Sequence, residues 1–139
     1  MVQRPWSGTA PYIPGSDGHP RPYLWLTLKG PDGVAGIQIV GLVDTGADKS
    51  VLPMDYVSLL GYEEADLVQT EVGQVEGSAS AWDAQRPCEA FVNGVPTVKF
   101  ELSPLFVPTL DALWGRADLM ATYVVSVSEK DQELSLHLP

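Results

Sequence analysis

Cysteine is nearly absent: the 139 residues contain one, Cys88. An intrachain disulfide and a Cys-rich zinc site are therefore excluded, and the chain is compatible with a reducing compartment. A free cysteine of this kind is expected to pack as a small buried hydrophobe. Basic residues are also scarce, with 8 Lys and Arg against 18 Asp and Glu and a net charge of −10. Phosphate recognition needs clustered cations, so no nucleic-acid partner is expected. There is no run of about 18 apolar residues to span a membrane, and no compact apolar N-terminal stretch of the signal-peptide kind. No membrane partner is expected, and the cytoplasm is the default location. His19 and His137 lack a metal-ligand spacing, which predicts solvated or capping roles and no metal. Ser50 lacks the flanking pattern of a hydrolase nucleophile.

Hydrophobic residues make up 45% of the chain and charged residues 19%, a balance that supports a packed core. The length suits one domain, since single cores usually take ~100–150 residues. Residues 1–22 carry five prolines and three glycines, a composition that resists helix and central strand and predicts an arm or linker before a domain over 23–139. An alternative reading is that the chain is one domain of a longer polyprotein or multidomain protein, released or regulated by cleavage within this arm.

From Tyr23 the pattern is that of a strand, with Leu24, Leu26 and Leu28 on one face. A turn at Gly30 to Gly33 leads into a β-branched run, Val34 to Val43, that ends at Asp44-Thr45-Gly46. Val51 to Pro53 predicts a short strand, and Met54 to Leu60 two helical turns closed by Gly61. Leu67 to Val75 predicts another strand. The small residues Gly73, Gly77, Ser78, Ala79 and Ser80 predict a hairpin tip, and Trp82 is expected to pack against its base. Cys88 to Val92 and Val95 to Leu102 flank Asn93-Gly94, a strong hairpin signal. Tyr123 to Ser128 and Leu134 to Leu138 predict a final strand pair around a solvated acidic turn. Many short strands with little helix indicate an all-β domain, closed or sandwiched.

Asp44-Thr45-Gly46 alone is also what an ordinary turn uses. Its surroundings are more specific: Leu42-Val43-Asp44-Thr45-Gly46-Ala47-Asp48-Lys49-Ser50-Val51-Leu52-Pro53 sets two acids and a glycine between two apolar strands, and Ala112-Leu113-Trp114-Gly115-Arg116 follows near the end. Together these resemble the active-site loop and the hydrophobic-Gly-Arg segment of the retropepsins, the retroviral-type aspartic proteases, over roughly Tyr23 to Leu138. Two features differ from the usual pattern. Asp118 follows Arg116 after Ala117, where the family usually has Asn or Asp directly after the Arg. Gly77-Ser78-Ala79-Ser80 replaces the Gly-Gly-aromatic or Gly-Gly-aliphatic flap tip.

The resemblance implies a single-domain, closed β-barrel-like retropepsin fold with a flap hairpin at about Val72 to Trp82 and one or two short helices. It also implies an aspartic endopeptidase acting on peptide or protein substrates, with water as nucleophile and no cofactor. Asp44 is then the catalytic residue, and Thr45 and Gly46 support the loop. Ala47, Asp48, Gly77 and Ser78 are substrate-binding or structural, and Asp48 forms with Arg116 a buried ion pair near a dimer interface. Val51, Leu52, Val107 and Leu113 would line apolar pockets. Two carboxylates are needed to share one proton, and the chain has one Asp-Thr-Gly, so a two-fold homodimer is implied, with interleaved termini. The alternative is a non-catalytic peptide-binding or dimerisation module of the same fold.

Overall fold

The computed structural model describes residues 7–33, 36–74, 77–108 and 111–138. The strands are β1 (Ser7–Pro11), β2 (Ile13–Pro14), β3 (Pro20–Arg21), β4 (Tyr23–Lys29), β5 (Ile37–Val43), β6 (Val51–Pro53), β7 (Leu67–Gln74), β8 (Gly77–Ala84), β9 (Cys88–Val92), β10 (Lys99–Leu102), β11 (Leu105–Val107), β12 (Ala112–Trp114), β13 (Val124–Ser128) and β14 (Glu133–His137). Two single-turn helices, α1 (Tyr56–Leu59) and α2 (Leu119–Thr122), and a 3-10 turn at Glu64–Asp66 complete the fold. This is the expected all-β architecture with a flap-like hairpin and two short helices. Nine strands form one sheet in the order β10-β9-β4-β5-β12-β6-β11-β8-β7. Its outer strands, β10 and β7, are not paired to each other among the described residues, so the sheet is open rather than a closed barrel.

The predicted periodicity of β4 holds because its two faces meet different surroundings. Leu24, Leu26 and Leu28 are buried in the main hydrophobic cluster, and Trp25 is 43% exposed on the opposite face. Thr27, expected on that outer face, is also buried, and its Oγ1 donates to Asn93 Oδ1 at 2.5 Å. Residues 34 and 35, at the start of the next predicted strand, lie outside the described residues, and β5 runs from Ile37. The run expected to make two helical turns makes the single turn α1, which ends as Gly61 adopts a φ of 80°.

Asn93-Gly94 does form a turn, with Val95 N–H donating to Val92 O at 2.8 Å and Gly94 at a φ of 82°. The strand does not resume at Val95 as the hairpin signal predicts. Pro96 has no N–H to give to a ladder, a further turn follows at 95–98, and pairing begins at Lys99↔Phe91.

Residues 7–12 are tied to the end of the chain, and β2 and β3 form a separate two-stranded pair. β1 pairs antiparallel with β14 from Ser7↔His137 to Pro11↔Glu133, in a three-stranded sheet of order β1-β14-β13. β1 is an edge strand, where prolines are tolerated. Tyr12 is buried beside it and donates its hydroxyl to Glu129 Oε1 at 2.9 Å.

Candidate active site

β5 alternates buried Ile39 and Val43 with half-exposed neighbours and delivers Asp44 at its end. The parallel pairing of β5 with β12 runs from Ala112↔Gly41 to Trp114↔Val43. Asp44 N–H extends it by donating to Trp114 O at 3.0 Å. The two strands approach closely because residue 41 has no side chain: a Cβ there would lie 2.6 Å from the Trp114 ring. Beyond Asp44 the backbone turns, with Ala47 N–H donating to Asp44 O at 3.2 Å. Gly46 N–H donates to Asp44 Oδ1 at 2.9 Å, so one carboxylate oxygen is oriented by the loop's own backbone. Asp44 is half-buried and Thr45 and Gly46 are exposed.

The loop is fastened to the turn after β12 along its whole length. Arg116 N–H donates to Ala47 O and Ala117 N–H to Asp48 O, both at 2.9 Å. Gly115 N–H donates to Ser50 Oγ at 3.0 Å, and Ser50 N–H to Asp118 Oδ2 at 3.3 Å. A Cβ on residue 115 would meet Lys49 C and O at 2.5 Å, so only glycine permits this contact. Arg116 Nη2 also pairs with Asp48 Oδ1. A buried ion pair, as the resemblance implies, would cost ~3–5 kcal/mol to break from one side. In the single chain the two side chains are 57% and 85% exposed, and a surface pair of this kind contributes ~0–1 kcal/mol.

Ser50 and Asp118 are the support that sequence reasoning undervalued. Ser50 is fully buried, and its hydroxyl braces the loop instead of acting as a nucleophile. The available signal was its place between the acidic loop and an apolar strand. Asp118, separated from Arg116 by Ala117, still reaches Ser50. Burial raises the Asp118 carboxyl above the ordinary carboxylate value, opposed by hydrogen bonds from Ser50 and the Ser103 backbone and by the nearby Lys49 charge. Folding therefore keeps a proton on Asp118 over a pH window where the unfolded chain has released it, and stability falls as pH rises through that window. Asp118→Asn keeps an acceptor for Ser50 N–H and removes the titration. Urea unfolding from about pH 4 upward should show the variant gaining on the wild type as pH rises; parallel pH profiles would count against this role.

Other expected site residues have different surroundings. Gly77 and Ser78 lie in β8 with the register Gln74↔Gly77 and Gly73↔Ser78. Gly73, Gly77, Ser78, Ala79 and Ser80, expected at a hairpin tip, thus lie in the paired strands β7 and β8; residues 75 and 76 and the side chains of 72–79 lie outside what is described. Of the four residues expected to line pockets, Val51, Val107 and Leu113 are half-buried, whereas Leu52 is fully buried and belongs to the core. Strand alternation in β6 turns Leu52 inward. Trp82 packs half-buried against the core at the foot of the hairpin. Cys88 is buried, donates to Leu102 O at 3.2 Å, and has its thiol pushed up to about 12 by burial. His19 and His137 are exposed. Among the described residues no group of His, Cys, Asp and Glu is placed to hold a metal ion, and no helix is long and apolar enough to cross a membrane. A cavity of about 820 Å³, lined by residues including Lys29, Arg86, Cys88, Lys99 and Phe100, contains no residue of the Asp44 loop.

An Asp-Thr-Gly loop at the end of a β-strand, braced by a Trp-Gly-Arg turn and accompanied by a long hairpin, is the arrangement expected of the aspartic-protease class. Residues 19–127 match the family model for the retroviral aspartyl proteases, and the chain belongs to that family. Two solved structures share the fold. EIAV protease complexed with the inhibitor HBY-793 is 24% identical, with 70% of this chain and 83% of that chain covered and a TM-score of 0.52. A retropepsin-like aspartic protease from Rickettsia conorii is 17% identical, with 99% of this chain and 97% of that chain covered and a TM-score of 0.60. No curated protein sequence gave a significant match.

Proposed function

We propose that the chain is an aspartic endopeptidase acting as a homodimer, with the two Asp44 carboxylates, one per subunit, sharing a proton over the scissile bond. The observation that carries this reading is the Asp44 loop, which presents one carboxylate oriented by Gly46 N–H and held rigidly against the turn after β12. Two carboxylates at hydrogen-bond distance cannot both ionise, so the pair holds one proton. The ionised member takes a proton from water as the water attacks the peptide carbonyl carbon. The protonated member gives its proton to the carbonyl oxygen. The tetrahedral diol then collapses as the C–N bond breaks and a proton passes to the leaving amine. The substrate lies extended beneath the β7–β8 hairpin, with alternate side chains entering pockets that include Val51, Val107 and Leu113.

The terminal sheet supports the dimer. Among the described residues β13 is its edge strand, with no neighbour on one side of its backbone in that sheet. Val124 and Val127 on it are 52% and 46% exposed. An exposed apolar edge is a template for pairing with a second chain. Val127→Lys is expected to weaken the dimer about tenfold or more, from the lost burial of a Val side chain and the charge introduced. Sedimentation would show the shift to monomer, and activity should fall in parallel and recover at high protein concentration. A variant that is as dimeric as wild type would show that the interface lies elsewhere.

The direct test is cleavage of a peptide library by the wild type from about pH 3 to 8, a range that spans the titration of a coupled carboxylate pair, with the oligomeric state measured alongside. Cleavage by a dimer supports the reading. A folded wild type that cuts nothing defeats it and leaves a peptide-binding or dimerisation module.

A further inference from the structure

The β7–β8 hairpin is long but narrowly rooted. Eight residue pairs join β7 to β8, from Leu67↔Ala84 to Gln74↔Gly77. On its other side β8 meets the rest of the sheet through β11, in the two pairs Leu105↔Asp83 and Phe106↔Trp82, and Ala84 N–H donates to Pro104 O at 3.1 Å just before β11. One of those two root residues, Asp83, also carries an ion pair. Lys49 Nζ donates to Asp83 Oδ1 at 3.1 Å and Oδ2 at 3.0 Å, with the side chains 47% and 29% exposed. Lys49 belongs to the Asp44 loop. Val51 pairs with Leu105 and Leu105 pairs with Asp83, so the Lys49 side chain passes across β11 to reach the hairpin's foot. Neither end is loosely held: the Lys49 carbonyl is seated against Gly115, and Asp83 O accepts from Gln85 Nε2 at 3.1 Å.

We propose that the Lys49–Asp83 pair is a positioning tether that links the β7–β8 hairpin to the loop carrying Asp44, so that closing the hairpin over a peptide and ordering the catalytic loop are coupled. This deepens the peptidase reading and rests on it for its kinetic consequence. Neither residue contacts the reacting atoms. Among the described residues the backbone connection of β8 beyond the hairpin is a two-pair ladder extended by the Ala84 N–H to Pro104 O bond, so a lateral clamp at Asp83 adds to a short root and restricts rocking of the hairpin about β11. Its strength is that of a partly exposed, doubly hydrogen-bonded pair, so its effect is graded and screened by salt.

The test compares Lys49→Met, Asp83→Asn and the exchanged pair Lys49→Asp with Asp83→Lys, each in the dimeric protein. Peptide cleavage kinetics and hydrogen exchange over residues 67–84 are measured for each. Each single change is expected to raise KM about three- to fivefold with kcat nearly unchanged, and to speed exchange in the hairpin. The exchanged pair should restore most of both, and added salt should raise KM in the wild type more than in either single variant. Failure of the exchanged pair to rescue KM and exchange, or hairpin exchange unchanged in both single variants, would overturn the tether. So would a KM change in Lys49→Met that depends on acidic peptide residues while Asp83→Asn behaves as wild type, since Lys49 would then be acting on the substrate. Hydrogen exchange reads the tether without turnover, so a wild type that cleaves no peptide defeats the peptidase reading and leaves the tether to be judged on exchange.

Discussion

Asp44→Asn is expected to lower kcat by roughly 10³–10⁴-fold, the order that positioned acid-base groups contribute, while leaving the fold and dimer intact. The amide side chain would keep an oxygen to accept Gly46 N–H, so the hydrogen bond that shapes the loop survives. What disappears is the proton bookkeeping, since neither subunit can then take a proton from water or hold one for the carbonyl. The proposed homodimer would lose both carboxylates at once. Mixing wild-type and Asp44→Asn chains gives a sharper result. With equal amounts and free exchange, about one quarter of the dimers carry two aspartates, so activity should fall to about one quarter of that of the same total amount of wild-type chain, instead of to half. A fall to one half would mean that each subunit works alone, and would exclude the shared pair.

Trp114→Ala is expected to destabilise the protein by about 3–5 kcal/mol, comparable with the whole stability of many domains, ~5–15 kcal/mol. Trp114 is fully buried and is the largest such side chain in the core. Its ring occupies the space left by Gly41, and Nε1–H donates to Leu24 O at 2.9 Å. Its own carbonyl accepts Asp44 N–H, so a collapse here moves the candidate catalytic residue as well as the core. Trp114→Phe separates the two contributions: most of the ring volume stays, and only the Nε1–H bond to the Leu24 carbonyl is lost, a change of ~0.5–1.5 kcal/mol. Urea unfolding at fixed protein concentration measures both, because the proposed dimerisation would make stability concentration-dependent. Equal losses for Ala and Phe would show that the hydrogen bond dominates; a negligible loss for Ala would contradict the packing described.

The parts of the fold legible in the sequence were those written in local chemistry. Alternation in Leu24, Leu26 and Leu28 marked β4, and Gly61 marked the end of α1. The acidic loop was legible because its composition, two acids and a glycine between apolar strands, has few other uses. Asn93-Gly94 was legible as a turn, but where the next strand began depended on Pro96 and on a register that only pairing with Phe91 establishes. Thr27, on the face opposite the leucines, is buried and bonded to Asn93, a residue 66 positions away that no local pattern identifies. Leu52 looked like a pocket residue because being apolar does not tell a core face from a cleft face.

By itself, then, the sequence determined the family and the candidate catalytic carboxylate, since both rest on residue types in a short, ordered run. Only the tertiary structure decided what supports that residue. Ser50 and Asp118 are 68 positions apart, and Lys49 and Asp83 are 34 apart. Such pairs have no local signature, because their partnership depends on which strands lie side by side. β6, β11 and β8 become neighbours through long-range backbone pairing, and that pairing, rather than any propensity of the residues concerned, brings the Asp44 loop to the foot of the hairpin.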